Sequence, residues 1–320
     1  MTATNLPAST SGTDDTPASR TSTRATGPRR RRSATQLPRT FYMMVLPALV
    51  LFVVFHTVPV LQGIYYSFTD SPGYGPSNFV GFRNYIALFT DPRVLHAYWF
   101  TFLIAGVATI LVNIVSLAIA VGLNARIKFK TTLRGVYFIP NVLAILVVGY
   151  IFNYLFNNSL PAIGEKLGID FLSTSLLTQA STAWIGIVLL AVWQSAAFNI
   201  IIYIAGLQTV PQEIYEAASM DGASAWRSFR SITFPMIAGF FTINMVLSLK
   251  GFLQIFDHIV ALTNGGPGTD TESVALLIYK GGFQGGEYGY QSANSVVFFI
   301  VIVVFSIIQL RFLQRREMSV

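Results

Sequence analysis

The sequence predicts an all-α, polytopic membrane protein with six transmembrane helices. Three observations predict this class: 53% of the 320 residues are hydrophobic, only 11% are charged, and six apolar runs are long enough to cross a bilayer. Soluble domains carry about 25% charged residues, so this chain has too few charges to cover a water-facing surface. A bilayer core of about 30 Å requires roughly 20 apolar residues in helical conformation.

The N-terminal segment, residues 1–40, is predicted to be a disordered, basic cytoplasmic tail. It is rich in Ser, Thr, Pro and Arg and contains the run Arg29–Arg32. Such a composition buries too little apolar surface to offset the entropy of ordering the chain. The first span, 41–67, follows and is too long for the apolar core of a signal peptide. With its outer loop it makes up the predicted segment 41–90.

Five further spans are predicted within a membrane domain that covers residues 91–315, and residues 316–320 form a cytoplasmic C-terminus. The five runs are 97–122, 135–156, 182–207, 235–260 and 292–312.

Lys and Arg residues predict which side of the membrane each loop faces, because they concentrate in cytoplasmic loops. With the N-terminus inside, 16 of the 21 basic residues lie in inner segments, four lie in outer loops, and Lys250 lies within a span. We therefore expect a multi-pass protein of the cell membrane, in contact with lipid, with both termini in the cytoplasm.

Several classes of function are not indicated by the sequence. There is no cysteine, which excludes disulfides and thiolate chemistry. The net charge of +7 comes from basic residues beside apolar runs rather than from an aromatic-interleaved patch, so no nucleic-acid partner is predicted. No phosphate-binding loop and no nucleophile-elbow serine occur. His56, His96 and His258 match no metal-ligand spacing, so we expect neither a catalytic residue nor a metal site.

The polar loop 212–234, between spans four and five, is the most informative segment. Two short helices are predicted to meet at Gly222, which tolerates turn geometry that is unfavourable for other residues. Glu216 and Asp221 would be exposed carboxylates on this bend, and Ala217–Ala218 would let another protein approach closely. On these residues alone, a docking surface and a charged helix lying on the membrane surface remain equally open.

Polar side chains within spans four and five are candidates for substrate contact, since such groups usually face a wet cavity. In a single helix, Lys250, Gln254 and Asp257 would lie within an arc of about 60°. Lys250 and Asp257 could instead pair to stabilise packing, and Asp257 could reach water at the outer end. The predicted substrate-binding residues are Trp193, Asn199, Asn244, Lys250, Gln254 and Asp257.

The polar loop resembles the EAA signature of ABC importer permeases. The matching residues are Glu216, Ala217, Ala218, Asp221, Gly222, Ala223, Phe229, Ile232 and Pro235, with Phe234 in place of a leucine. Further segments resemble the carbohydrate branch of that family, which is the maltose and glycerol-phosphate type. These segments are 123–141, 207–211 and 262–267, together with Glu272. The resemblance covers about residues 90–315.

This resemblance implies the MetI-like permease fold and a non-catalytic pore subunit of a binding-protein-dependent sugar importer. It implies that Glu216 contacts an ATPase, that Gly222 forms the turn and that Ala217 is a position of close approach. ATP and Mg would be bound by two separate cytoplasmic ATPase subunits, so this chain itself holds no cofactor.

The resemblance also implies a second permease, generally a different chain, and an extracytoplasmic sugar-binding protein. The residues leave homodimerisation open, and monosaccharide, disaccharide, amino sugar and glycerol phosphate are all possible substrates. The alternatives are an ion-driven secondary transporter of a polar solute and a membrane sensor or scaffold.

Overall fold

A computed structural model describes residues 39–125 and 128–317. Most of the predicted tail 1–40, the basic residue Arg126 and residues 318–320 lie outside the described residues. Residues 39–53 form one unit, which consists almost entirely of the first helix, and the chain from Val54 onward forms a second unit.

The described residues are mostly helical, and their only strand-type pairing is an isolated bridge between Thr69 and Phe79. The predicted all-α class is confirmed. The α-helices are α1 Arg39–Phe52, α2 Val58–Tyr66, α3 Arg83–Leu88, α4 Pro92–Asn124, α5 Lys130–Val142, α6 Ile145–Tyr154, α7 Leu160–Leu167, α8 Asp170–Ser173, α9 Ala180–Gln208, α10 Gln212–Met220, α11 Ala225–Ser228, α12 Phe234–Met236, α13 Ala238–Leu253, α14 Asp257–Leu262, α15 Val274–Tyr279 and α16 Tyr288–Glu317.

Four five-residue π-helical segments interrupt this series. Such segments usually occur as single turns within or between α-helices. They are Val53–Thr57, Leu155–Ser159, Phe229–Thr233 and Lys280–Gln284.

Four helical segments of the described chain can cross a membrane by length and hydropathy alone. They are Met43–Tyr66, Pro92–Asn124, Ala180–Gln208 and Tyr288–Gln314. Two bent helix pairs lie at the third and fifth predicted spans, and the described residues contain the six predicted spans when each bent pair is counted as one.

The prediction of one uninterrupted helix over 135–156 is wrong. Helix α5 meets the segment Ile145–Leu167 at an angle of 93°. The bend lies at Leu143 and Ala144, whose backbones are extended at φ −75°, ψ 138° and φ −62°, ψ 126°. Pro140 lies just before the bend and has no backbone N–H with which to continue the helical ladder.

The prediction of one helix over 235–260 is also wrong. Helix α13 ends at Leu253, and α14 begins separately at Asp257. The segment Ala225–Met236 meets α13 at 71°. Lys250, Gln254 and Asp257 therefore do not share one face of a continuous helix, because the backbone leaves the helical conformation at Gln254 and Phe256.

The packed centre of the second unit is formed by α4, α9 and α13. Small side chains line the buried face of α4, where Ala105, Ala108 and Ala120 have no exposed surface. Small residues let transmembrane helices approach closely. Gly206 of α9 serves the same purpose, because a Cβ atom there would lie 2.7 Å from the ring of Phe240. This close packing holds in place the polar residues described next.

Candidate functional site

A cavity of about 540 Å³, lined by both polar and apolar residues, lies where the broken spans meet α9. Its wall combines the end of α13, the start of α14 and the bend between α5 and α6. Phe198, Phe252 and Phe256 supply aromatic surface. The polar residues of the wall are Asn141, Ser195, Asn199, Ser248, Gln254, Asp257 and His258. Asp257 is the only carboxylate among the lining residues, and neither Lys nor Arg lines the cavity.

The cavity brings together three of the predicted substrate-binding residues, Asn199, Gln254 and Asp257. Gln254 and Asp257 reach it through the break after α13 rather than along a helix face. Lys250 is exposed and is not among the lining residues. Trp193 is also outside the lining, and its ring packs against Phe152 with the centroids 5.2 Å apart.

Asn244 is fully buried behind the cavity wall and supports the wall from α13. Its Nδ2 donates to the backbone oxygen of Asn199 at 3.2 Å. Asn199 in turn donates from Nδ2 to Oγ of Ser248 at 3.1 Å. These hydrogen bonds link α9 to α13 beside the cavity. Ser248 was missed by the sequence reading, although it lies one helical turn after Asn244 on the same face.

A second buried contact joins α4 to α9 in the same layer. Tyr203 of α9 donates from its hydroxyl to Oδ1 of Asn113 at 2.5 Å. Asn113 was also missed by the sequence reading, and its position in the middle of the second apolar run was the available signal. Buried polar groups in a bilayer require internal partners, and this pair supplies them.

Gln194 connects the bend of the third span to the cavity. It is buried, and its Nε2 donates to the backbone oxygens of Leu143 at 3.1 Å and Pro140 at 3.4 Å. The last carbonyl groups of a helix have no partner within the helix, so Gln194 satisfies acceptors that the bend exposes. Its Oε1 lies 3.1 Å from Nε2 of His258. Because an amide oxygen only accepts, His258 donates from Nε2.

Gln194→Leu is expected to destabilise the protein by about 1–3 kcal/mol, since two buried carbonyl groups and an imidazole lose their partner. The measurement is the Tm of the detergent-solubilised complex. Gln208→Leu, at an exposed position on the same helix, is the control and should leave the Tm unchanged. Equal Tm values for both variants would contradict the role given to Gln194.

The polar loop folds into a bent pair of helices, which we call the elbow (residues 212–236). Helix α10 ends at Met220, and Gly222, two residues later, has φ +70°. The turn is closed by a hydrogen bond from Ala223 N to Ala218 O at 3.0 Å. No atom lies within 4 Å of a Cβ built on Gly222. A side chain at Gly222 is therefore unfavourable because of the positive φ, and not because it would collide with neighbouring atoms.

The two arms of the elbow are tied together by Tyr215, whose hydroxyl lies 2.9 Å from that of Thr233. Glu216, Ala217 and Asp221 are exposed, as their predicted role requires. Ala218 is buried within the chain, so only Ala217 can be a position of close approach to another protein.

Two exposed apolar side chains on the elbow were not singled out from the sequence. Met220 is 87% exposed and Trp226 is 69% exposed. Single exposed apolar side chains are normal on protein surfaces, so a docking role for these two belongs to the proposal below. The isolated tryptophan in a charged segment was the available signal.

An ion pair anchors the loop that precedes α15. Glu272 is buried and accepts from Nε of Arg93 at 2.8 Å and from Nη2 at 3.0 Å. Arg93 lies in the first turn of α4. The pair therefore joins two segments that are 179 residues apart in the sequence.

Residues 114–318 match the family of binding-protein-dependent transport system inner membrane components. The chain belongs to this family. It therefore has the binding-protein-dependent permease fold that the resemblance implied, and it is an inner-membrane transport component rather than a catalytic enzyme.

Related permeases match almost their whole length. The multiple sugar-binding transport system permease protein MsmF of Streptococcus mutans is 41% identical over 276 residues, which cover 86% of this chain and 94% of MsmF. The probable starch degradation products transport system permease protein AmyD of Thermoanaerobacterium thermosulfurigenes is 31% identical over 279 residues, which cover 87% and 95% of the two chains.

The fold of this permease is also found in a bacterial ABC transporter that imports the acidic polysaccharide alginate. The two structures align with a TM-score of 0.76 and 22% identity, over 87% of this chain and 96% of the other. That transporter has also been solved with an alginate pentasaccharide-bound periplasmic protein.

Proposed function

We propose that this chain is the permease subunit of an ATP-driven importer that carries an uncharged sugar or oligosaccharide into the cytoplasm. The observation that carries the proposal is the polar, aromatic-lined cavity between the broken spans. The family match supports import, and the names of MsmF and AmyD support a sugar.

The chemistry of the cavity favours a polyhydroxylated, uncharged solute. Gln254 is exposed and can offer its amide to sugar hydroxyls, whereas Asn199 and Ser248 add polar groups to the wall but already bond to each other. Phe252 and Phe256 add apolar surface. An anionic solute would meet the carboxylate of Asp257 without any lining Lys or Arg to offset the repulsion. We therefore propose that this chain is less suited to glycerol phosphate or acidic polysaccharides than to neutral sugars.

The elbow is proposed to receive force from a cytoplasmic ATPase. Glu216, Ala217, Asp221 and Gly222 form its exposed bend, and Trp226 adds an apolar contact. Closure of two ATPase subunits on ATP and Mg would draw this elbow and that of a second permease together, so that the cavity opens outward. A sugar-binding protein would then deliver substrate to the outer face. The excess of Lys and Arg supports a cytoplasmic location for the elbow and both termini.

An ion-driven secondary transporter is not favoured. The family match is to a binding-protein-dependent system. An ion-driven mechanism also gives no role to an exposed bend such as the elbow.

The proposal is tested by reconstituting the complete transporter in liposomes with radiolabelled maltose, trehalose, glucosamine and glycerol 3-phosphate. We expect uptake of a neutral sugar only when ATP is supplied on the side of the ATPase, and no uptake of glycerol 3-phosphate. Liposomes without ATP but with an imposed proton or sodium gradient are the control. Uptake driven by the gradient alone, or a preference for the phosphate ester, would contradict the proposal.

A further inference from the structure

Five aromatic rings form a continuous series that starts at the cavity wall. They lie in the order Phe256, Tyr279, Phe283, Tyr288 and Tyr66, and we call them the aromatic path. Successive ring centroids are 5.4, 5.7, 6.1 and 5.4 Å apart. All four distances fall within the range of direct aromatic contact.

The first part of the aromatic path depends on helical spacing. Tyr279 ends α15, and Phe283 lies four residues later in the π-helical segment Lys280–Gln284. Residues four apart project from the same side of a helix, so the two rings meet. Phe256 lies in the break between α13 and α14 and completes the contact with the cavity.

The second part of the aromatic path depends on a close backbone approach. Gly289 donates from its backbone N to the oxygen of Ser71 at 2.8 Å. A side chain at this position would collide with the backbone of Thr69. This approach holds Tyr288, the neighbour of Gly289, against Tyr66 at the end of α2.

Two of the five rings are exposed, and the other three are half-buried. Phe283 is 71% exposed and Tyr279 is 43% exposed. Three of the four contacts are edge-to-face, with interplanar angles of 73°, 74° and 78°. An edge-to-face contact covers one face of one ring at most, and the exposed area of Tyr279 and Phe283 is available to a ligand.

We propose that the aromatic path guides the sugar between the outer surface and the cavity, an inference that rests on the proposed function. In the proposed orientation the loop after Tyr66 faces the outer side, so the path begins there. The apolar C–H face of a sugar ring can pack on each aromatic ring, and tyrosine hydroxyls can exchange hydrogen bonds with sugar hydroxyls. Because a single aromatic contact contributes only about 0.5–1.5 kcal/mol, the sugar can pass from ring to ring without being trapped.

Phe283→Leu in the complete transporter is the first test, with the maximal uptake rate of radiolabelled maltose in liposomes as the measurement. We expect a rate roughly three- to tenfold lower, the effect of losing one aromatic contact, with the amount of assembled complex unchanged. Phe283→Tyr should retain the parental rate. Phe89→Leu, at a ring that is 68% exposed but outside the aromatic path, should also retain it. A parental rate in Phe283→Leu, an equal loss in Phe89→Leu, or failure of Phe283→Leu to assemble would overturn the proposal.

The second test requires no knowledge of the sugar. The chain contains no cysteine, so Phe283→Cys introduces its only thiol. We expect 2-sulfonatoethyl methanethiosulfonate, added from the outer side, to label this thiol in the complete transporter, with the parent chain as the control for other subunits. An unlabelled thiol would show that the ring faces lipid or the second permease and would overturn the path. Failure of the parent complex to take up any sugar of the panel would instead overturn the proposed function, and labelling of the thiol would still support a water-filled path.

Discussion

Gly222→Val is expected to abolish sugar uptake while the permease still inserts into the membrane. Gly222 has φ +70°, a conformation that costs an ordinary residue roughly 1–2 kcal/mol and a β-branched residue more. The turn would open, and the exposed carboxylates of Glu216 and Asp221 would move relative to the second arm of the elbow. We expect at least a tenfold lower uptake rate, together with reduced recovery of the ATPase when the permease is purified.

The matched control is Gly168→Val. Gly168 also ends a helix, α7, with φ +66° and with no atom within 4 Å of the position that a Cβ would occupy, but it lies far from the elbow in the sequence. The same backbone strain there should lower stability slightly and leave the ATPase bound. Gly222→Asn should retain most of the uptake, because asparagine tolerates this conformation. Normal uptake by Gly222→Val, or an equal loss of uptake in Gly168→Val, would show that the elbow does not couple the ATPase to transport.

Arg93→Met is expected to destabilise the permease more than Glu272→Gln does. The side chain of Glu272 is only 2% exposed, whereas that of Arg93 is 48% exposed. Loss of Arg93 leaves a buried carboxylate without its partner, which costs about 3–5 kcal/mol when both groups are buried. Since Arg93 is half exposed, we expect about 2 kcal/mol. Loss of the charge on Glu272 leaves a guanidinium that can still reach water, so the effect should be well under half as large.

The measurement is the Tm of each purified variant in the same detergent. The double variant Arg93→Met with Glu272→Met is the control, because it removes both charges and should recover part of the lost stability. If Glu272→Gln lowers the Tm more than Arg93→Met does, the buried, unpaired carboxylate is not the larger cost of breaking the ion pair.

The residue order of the polar loop predicted the turn of the elbow correctly. A glycine between two helix-forming segments predicts a turn, because the requirement for φ above zero is local to one residue. The structure has that turn at Gly222. Which alanine faces outward is not local. Ala218 is buried by the chain's own packing and Ala217 is not, and no spacing rule within the loop distinguishes the two.

The cavity was only partly predictable. Asn199, Gln254 and Asp257 were recognised as costly polar groups within apolar runs, and all three line the cavity. The reason given for grouping Gln254 and Asp257 was a shared helix face, and that reason was wrong. Lys250 was grouped with them by the same argument and lies outside the lining. Their substrate contacts stay predictions.

The sequence by itself determined the approximate positions of the apolar runs and the class of the protein, because these depend on the length of apolar runs and on a contiguous motif. Only the tertiary structure decided where the third and fifth spans break and therefore which side chains meet at the cavity. The physical reason is that hydropathy does not change when an apolar run bends. The bend is tolerated because a distant side chain, Gln194, supplies the hydrogen bonds that the broken helix lacks.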